Sequence, residues 1–294
     1  MRVATSQLYD RSLAQMTRLY ADADAIQTSI GTEKRYAAPS ASPAAYRQLR
    51  SLAGATEADG AFAANIRAAQ ATLDAGDAAL GSIETQLQRA LELAAQAATG
   101  TLSDAQRAAM GSELDAVLTT VLGLANDRGP DGQPLFGGTA TEPPYRRAAD
   151  GSIAYVGSAG AAQVPIGADA QIETGVTGNR ALGDIFAVLG TLAAAVRSGG
   201  DVHAAGSAAL AGIQSSVASV ASARASLGAR SARLDVESQR LTDVGEARES
   251  QRAATEDTDI AGATIALQRT LTVLQATQAS FSKLSGLSLF DYLR

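Results

Sequence analysis

The chain has 294 residues, enough for two or three small domains, and apolar residues make up 46% of it. Aromatic residues account for only 4%, tryptophan is absent, and alanine supplies more than a fifth of the chain. This composition excludes a wide, aromatic-lined ligand pocket as the default and favours narrow cores in which helices approach closely. The 24 basic and 30 acidic residues give a net charge of −6 without a cluster of cations, so no nucleic-acid binding is expected.

Cysteine is absent and His203 is the single histidine, which excludes disulfides, thiol chemistry and the common zinc sites. We therefore predict no cofactor and no metal. The first residues are polar, so no secretory signal peptide is expected. The longest apolar stretch, residues 185–196, is too short to cross a bilayer, and no membrane insertion is expected. On these grounds alone the chain stays in the cytosol, unless a route without a signal peptide exports it.

Helical periodicity dominates residues 65–98. Apolar residues recur there at every seventh position, namely Ile66, Leu73, Leu80, Leu87 and Ala94. A second row, composed mainly of small residues, lies between them at Ala69, Gly76, Ile83, Ala90 and Ala97. Spacings of three and four place both rows on one helix face, which predicts one side of a long antiparallel or coiled-coil pair.

A similar row in the second half of the chain identifies the partner helix. It comprises Ile213, Val220, Leu227, Leu234 and Leu241. Residues 208–250 are therefore predicted to form one helix of roughly 60 Å, a length that indicates a rod.

Polar residues and prolines predict where other helices begin and end. Ser103 and Gln106 have the spacing of a capping box that opens a helix. Pro43, preceded by Ser42, is predicted to begin another helix. The Gly-Pro-Asp-Gly sequence at 129–132 is predicted to end the third helix.

Residues 143–180 have the pattern of a small β region. The predicted short strands cover 145–149, 152–156, 163–166 and 170–173. Asp150 and Gly151 are predicted to join the first two strands as a two-residue type I′ turn. Because so small a region rarely folds alone, it should pack on the helices or on neighbouring subunits.

Both ends of the chain carry apolar stripes at helical spacing. The N-terminal stripe comprises Leu13, Met16, Leu19, Tyr20, Ala23, Ile26 and Ile30. The C-terminal stripe comprises Ile260, Leu267, Leu274 and Phe281, joined by Leu271 and Leu284. Thr255, followed by acidic residues, is predicted to be the N-cap of the last helix. The free energy lost on ordering the backbone of such a segment is about equal to the free energy gained by burying its apolar side chains. The end helices should therefore be ordered only when they pack against each other and against other subunits.

A few motifs could belong to a catalytic or phosphate-binding site. Ser280 and Lys283 have the Ser-x-x-Lys spacing of some acyl-transfer enzymes, but the partner motifs of those enzymes are missing. Gly157 and Gly160 precede a predicted strand, whereas a phosphate-binding loop leads into a helix. His203 lies at a helix start, and no nucleophile can be placed beside it.

The acidic residues Glu256, Asp257 and Asp259 could bind a cation, although acids at a helix start are common without one. We predict that the protein is not an enzyme. The apolar end stripes could be the core of a helical domain, but their position at both ends favours assembly between subunits.

Several segments, taken in order, carry a family resemblance. They are residues 1–7, 65–69, 87–94, 100–103, 122–126, 135–138, 256–259 and 289–293. They resemble the corresponding segments of the flagellar hook-associated protein 3 family, the hook–filament junction proteins, which are flagellin-like. The resemblance covers about 1–140 and 180–294.

Flagellins share the terminal architecture, so a flagellin or minor filament subunit is the alternative. Flagellins typically begin with an Ile-Asn-Thr-Asn type segment and close on Leu-Leu-Arg. This chain has Thr-Ser-Gln at 5–7 and Phe-Asp-Tyr-Leu-Arg at 290–294, which favours the junction family. At 31–43 the chain lacks the acidic pair that the family usually places before a proline. Contacts that those acids make in other members of the family are therefore not expected in this chain.

The patterns and the resemblance together indicate a mainly α fold. We expect an elongated rod of long antiparallel, coiled-coil-like helices, with paired terminal helices and a small β insert. The predicted domains are a terminal helical assembly domain (1–40 plus 255–294), a helical rod domain (41–140 plus 181–254) and the β insert (141–180).

The resemblance further implies a structural adaptor that forms a ring of copies between hook and filament. Its implied partners are a neighbouring hook-associated protein, flagellin and an export chaperone. It implies a place in the extracellular flagellum, reached without a cleaved signal peptide. The predicted subunit contacts are Leu13, Met16, Leu19, Ile26, Leu267, Leu271, Leu274, Phe281, Leu284, Leu289, Phe290 and Leu293.

Overall fold

The computed structural model describes residues 2–100 and 102–292, together with the side chains of residues 7, 9–100 and 102–283. Its helices are α1 (Arg2–Thr32), α2 (Pro43–Thr99), α3 (Asp104–Ala125), α4 (Gly178–Leu182), α5 (Ile185–Ser198), α6 (Val202–Glu256) and α7 (Ile260–Tyr292). Its strands are β1 (Tyr145–Arg147), β2 (Ile153–Tyr155), β3 (Gln163–Pro165) and β4 (Gln171–Glu173). The mainly α class, with long helices and a small β region, is confirmed.

The chain divides into two compact units. Met1–Glu57 and Asp243–Arg294 form what we call the terminal unit, and Ala58–Thr242 form the central unit. The three-domain division predicted from the sequence stays a prediction.

The central unit is built on α2 and α6. Every residue of both predicted rows on α2 is buried, and so is every residue of the predicted row on α6. The two helices run antiparallel, since Gln70 donates to Asp235 and Arg224 bridges Asp77 and Glu84. The prediction that these rows face each other in a long helix pair is confirmed.

The helix boundaries agree with most of the predicted signals. The capping box of Ser103 and Gln106 is formed, and the Ala45 amide donates to Ser42 Oγ at 3.4 Å at the start of α2. α2 then continues without a break from Pro43 to Thr99. The predicted end of the third helix was wrong, because α3 ends at Ala125, where the Asn126 amide caps the last carbonyls, and the turn at 129–132 lies beyond it.

The β region consists of two antiparallel hairpins, β1–β2 and β3–β4. Tyr145 pairs with Tyr155 in the first, and Gln163 pairs with Glu173 in the second. The predicted strands are confirmed, but the predicted type I′ turn was wrong. A type I′ turn needs positive φ at both central residues, whereas here Gly151 alone has positive φ (88°) and three residues separate the bonded Ala148 and Ser152. The loop is therefore the three-residue kind, with glycine in the left-handed position.

The hairpins share the core of the central unit. Tyr145 is buried against Phe186, with ring centroids 4.7 Å apart, and this burial raises the pKa of its hydroxyl. Asn126 holds Tyr145 by accepting from its amide and donating to its carbonyl. Arg230 of α6 bonds the Glu173 carboxylate and the Gly175 carbonyl. As predicted, the β region packs on the helices.

Two of the described helices, α3 and α6, are long and apolar enough to cross a membrane, a test that the core helices of soluble proteins also pass. Both bury apolar side chains in the central unit, for example Leu114 of α3 and Ile213 of α6. This packing accounts for their apolar composition.

Candidate assembly surface

The terminal unit contains an antiparallel pair of helices, α1 and α7. The Tyr9 and Phe281 rings meet edge to face with centroids 5.1 Å apart, and Gln278 donates to the Tyr20 hydroxyl at 2.6 Å. Ala23 and Leu274 are buried in this unit. The expectation that the two terminal helices pair is therefore met within one chain.

In the terminal unit, backbone hydrogen bonds join the connector that follows α1 to the junction between α6 and α7. The Arg35 amide donates to the Glu256 carbonyl at 2.7 Å, and the Thr258 amide donates to the Glu33 carbonyl at 2.9 Å. Glu33 adopts a positive φ of 57°, which turns the chain out of α1. These bonds fix the entry to α7 beside the exit from α1.

The predicted N-cap of the last helix was wrong. Thr255 lies in the final turn of α6, where its hydroxyl donates to the Gln251 carbonyl. Asp259 is the cap instead, because its carboxylate accepts from the Gly262 amide at 3.1 Å and α7 begins at Ile260. Aspartate and threonine are both good N-cap residues, so the sequence offered two candidates four positions apart.

The acidic residues at this junction have structural partners. Glu256 accepts from Lys34 and from Arg252, each at 2.6 Å, and Arg252 also pairs with Glu249. The hydrogen bonds from Lys34 and then Arg252 hold the pKa of Glu256 below its ordinary value. Within the part of the chain that the structure describes, no group of acidic or histidine side chains has the arrangement of a metal site.

The residues considered for catalysis lie in three separate parts of the chain, at or near the surface. Ser280 and Lys283 are exposed on α7, one on each side of Phe281. His203 is exposed in the first turn of α6. Gly157 and Gly160 lie in the connection between β2 and β3 and so precede a strand, as the sequence indicated.

The predicted contact residues occupy three environments. Leu13 and Leu271 are exposed, by 50% and 40%, and Leu274 is buried at 5%. Half-buried side chains are Met16, Leu19, Ile26, Leu267 and Phe281. Leu284, Leu289, Phe290 and Leu293 lie outside the described side chains. The α1–α7 pair thus covers part of the predicted set and leaves Leu13 and Leu271 open to solvent.

Other exposed apolar side chains of the terminal unit were missed as contacts. They are Tyr20, Tyr46, Ile260, Ile265 and Val273. Ile265 is 68% exposed, more than any predicted contact that is described. Ile265 and Val273 fall outside the seven-residue row that identified the stripe, so that row did not indicate them.

The terminal unit also contains a groove of about 770 Å³, which we call the connector groove. Its walls are the connector at 34–42, the α2 segment 46–57 and the α6 segment 245–256. Tyr36, Pro39, Leu49 and Leu52 supply apolar lining, and charged side chains stand around it. No feature of the sequence pattern predicted this groove.

Comparison with known proteins identifies the fold and the family. Residues 3–141 match the bacterial flagellin N-terminal helical region, and residues 210–293 match the bacterial flagellin C-terminal helical region. Together these matches cover most of the chain. The chain belongs to the bacterial flagellin-like family.

Individual relatives of this flagellin-like chain carry a narrower name. Flagellar hook-associated protein 3 of Salmonella typhimurium is 28% identical over 152 residues, which are 51% of this chain and 48% of the relative. Flagellar hook-associated protein 3 of Escherichia coli is 27% identical over 180 residues, 61% of this chain and 56% of the relative. The chain thus spans about half the length of the relatives it matches.

A solved structure shows the same fold. The flagellar junction protein FlgL from Legionella pneumophila is 15% identical, has a TM-score of 0.59, and aligns over 72% of this chain and 99% of that one. Within this flagellin-like chain, the two matched regions contain α1 and α7, with all of the described exposed apolar residues of the terminal helices. The hairpins, α4 and α5 fall in the unmatched middle.

Proposed function

We propose that this flagellin-like protein is a structural adaptor at the hook–filament junction of the bacterial flagellum. It assembles between hook and filament and is needed for filament growth. The observation that carries the proposal is the family match, together with two relatives that are both named flagellar hook-associated protein 3. The exposed apolar side chains on the terminal helices supply the physical means of assembly.

Assembly proceeds by burying the open faces of α1 and α7 between subunits. A large apolar side chain that passes from solvent to a buried contact contributes roughly 1.5–3 kcal/mol. Leu13, Tyr20, Ile265, Leu271 and Val273 are the described candidates for such burial. Leu284, Leu289, Phe290 and Leu293 belong to the proposal on their sequence pattern alone.

Assembly also stabilises the fold of the terminal helices. Among the described side chains, buried contacts of the pair, such as Leu274 and the Tyr9–Phe281 stack, are few compared with those of the central unit. A neighbour that binds only the folded pair shifts the equilibrium towards that pair. Folding and incorporation are therefore coupled in the terminal unit.

The proposed partners are copies of this chain in a ring, a neighbouring hook-associated protein on one side and flagellin on the other. An export chaperone accompanies the chain before assembly, and export occurs without a cleaved signal peptide to the extracellular flagellum. The flagellin-like terminal regions support a location in the flagellum, because the N-terminal match includes α1 and the C-terminal match includes α7.

Deletion of the gene from its source bacterium tests the proposal. A junction adaptor predicts that the deletion strain completes its hooks, carries no filaments and releases flagellin monomers into the medium. Complementation with the unmodified gene is the control, and it should restore filaments. Normal filaments in the deletion strain would contradict the proposal.

A flagellin or minor filament subunit is the second candidate, favoured by the direct match to flagellin regions at both ends. Its loss would shorten or alter filaments instead of removing them. Antibody labelling separates the two, because an adaptor lies at the filament base and a minor flagellin lies along its length.

No enzymatic activity is part of the proposal. An enzyme would require His203 or Ser280, the residues that the sequence brought into consideration. The double variant His203→Ala with Ser280→Ala should therefore restore filaments to the deletion strain as well as the unmodified chain does. Failure of a folded, exported double variant would contradict the purely structural role.

A further inference from the structure

The terminal unit carries an apolar ridge as well as the connector groove. The ridge, which we call the α7 ridge, consists of Ile265, Arg269 and Val273, spaced by four residues and so on one helix face. Ile265 and Val273 are 68% and 42% exposed, and Arg269 is exposed as well. The ridge therefore has no cover within the described part of the chain.

The ridge is short enough to lie within the groove. At about 1.5 Å per helical residue, the ridge extends for roughly 12 Å from Ile265 to Val273. The α2 wall of the groove (46–57) and its α6 wall (245–256) each extend for roughly 16 Å, so the ridge fits within the length of the groove. A volume of about 770 Å³ accommodates two aliphatic side chains and the stem of an arginine.

One carboxylate of the groove is available to pair with the cation of the ridge. Most charged side chains around the groove are already engaged: Lys34 and Arg252 pair with Glu256, and Arg248 donates to the Ala55 carbonyl. Among the described residues of the groove, Arg50 and Glu57 have neither a side-chain hydrogen bond nor an ion pair, and Glu57 is the anion of these two. Arg269 is the one cation of the ridge and is equally unengaged among these residues. A ridge seated in the groove brings this cation towards that anion.

The ridge cannot enter the groove of its own chain. α7 is one continuous helix that packs against α1, and Ile265 is exposed in the single chain. The occupant must therefore come from elsewhere, and a second copy supplies the matching ridge. Two different surfaces on one subunit make a heterologous contact, which closes into a ring when the rotation between copies allows.

We propose that the α7 ridge of one copy docks into the connector groove of the next copy, with Arg269 paired to Glu57 across the interface. This contact rests on the proposed function, since it specifies how the copies of the ring bind one another. Ile265 and Val273 pack against the apolar lining, and the ion pair fixes which way the ridge lies in the groove.

Site-directed cross-linking on isolated hooks tests the contact, because the natural chain has no cysteine. Cells lacking the natural gene co-express two differently tagged copies, one with Ala53→Cys in the groove and one with Ile265→Cys or Val273→Cys on the ridge. A short thiol-to-thiol cross-linker should join the two tags on the hooks. Val236→Cys, at a 71% exposed position of the central unit, is the matched control and should give no mixed-tag product with Ala53→Cys above background.

The outcomes separate this contact from the adaptor function. A mixed-tag product above the control supports the proposal. Copies bound to hooks without such a product in either ridge arm overturn the contact and leave the adaptor function intact. Absence of the unmodified chain from hooks overturns the adaptor function, and the contact with it.

Charge reversal provides a second measurement. Arg269→Glu and Glu57→Arg should each lower the amount of chain bound to hooks by about tenfold, because each sets like charges against each other. The double reversal should restore binding to near the unmodified level. Arg233→Glu, on an exposed part of α6 in the central unit, is the matched control and should not change binding. A double variant that binds no better than either single variant would contradict the proposed pairing.

Discussion

Lys34 Nζ lies 2.6 Å from Glu256 Oε1, and this ion pair joins the connector after α1 to the last residue of α6. Arg252 holds the other oxygen of the same carboxylate. The bond from the Arg35 amide to the Glu256 carbonyl runs beside the pair. Glu256 therefore joins the connector after α1 to the end of α6, just before α7 begins.

The first prediction concerns the pH dependence of this junction. Because the folded pKa of Glu256 is depressed below its ordinary 4.5, its contribution to stability is present above about pH 4.5 and is lost as pH falls through the lower folded value. Glu256→Gln should lower the opening free energy of the Arg35 and Thr258 amides by about 0.5 kcal/mol at pH 7 and by less at pH 3. Hydrogen exchange of those two amides measures the effect.

Glu246→Gln is the matched control, because Glu246 is exposed on the same helix and makes no ion pair among the described residues. It should leave both amides unchanged at either pH. An equal loss of protection at pH 7 and pH 3 in Glu256→Gln would show that the charge of the carboxylate has no part in the junction.

The second prediction concerns the close approach of α2 and α6. A Cβ atom at Gly206 would lie 2.6 Å from the Ala98 nitrogen and 2.9 Å from the Ala94 carbonyl oxygen, so one backbone must move. Gly206→Ala should destabilise the central unit by about 1–3 kcal/mol. Gly228→Ala, on the same helix with open space around it, should stabilise it by about 1 kcal/mol through helix propensity. Urea unfolding followed by circular dichroism gives both values, and equal effects of the two substitutions would contradict this packing.

Periodicity was sufficient to predict the core helices because it reports which face of a helix is buried. Ile66, Leu73 and Leu80 of α2 recur at the spacing that keeps a residue on one face, and all three are buried. The capping box at Ser103 was equally predictable, since its hydrogen bonds involve residues three positions apart. In both cases the information lies within a few turns of one helix.

The candidate surface was only partly predictable, because its features depend on contacts between distant parts of the chain. Ile265 breaks the seven-residue row, so the pattern that detected Leu274 could not detect it. The connector groove joins Leu49 to Arg252, which lie far apart in sequence. At the end of α6, Glu256 likewise pairs with the distant Lys34, a contact that the local sequence around Thr255 does not reveal.

The third prediction separates the inner and outer faces of α7. Leu274 is buried in the terminal unit and Leu271, less than one turn away, is 40% exposed. Leu274→Ala should destabilise the α1–α7 pair by about 2 kcal/mol or more, because it removes buried side-chain volume. Leu271→Ala should change the stability of the single chain by less than about 0.5 kcal/mol. Hydrogen exchange along α7 in dilute solution measures both, and equal losses would contradict the assigned faces.

The fourth prediction concerns removal of residues 270–294. The buried core cluster of the central unit extends from Ile66 to Leu241, so the truncation removes none of its members. The melting temperature of the central unit should therefore stay nearly unchanged, whereas incorporation into hooks should be lost because much of α7 is gone. Leu87→Ala is the contrasting variant, since it opens a cavity in that core and should cost about 2–5 kcal/mol. Differential scanning calorimetry compares the two, and a truncated chain that melts as early as Leu87→Ala would show that the C-terminal helix supports the central core.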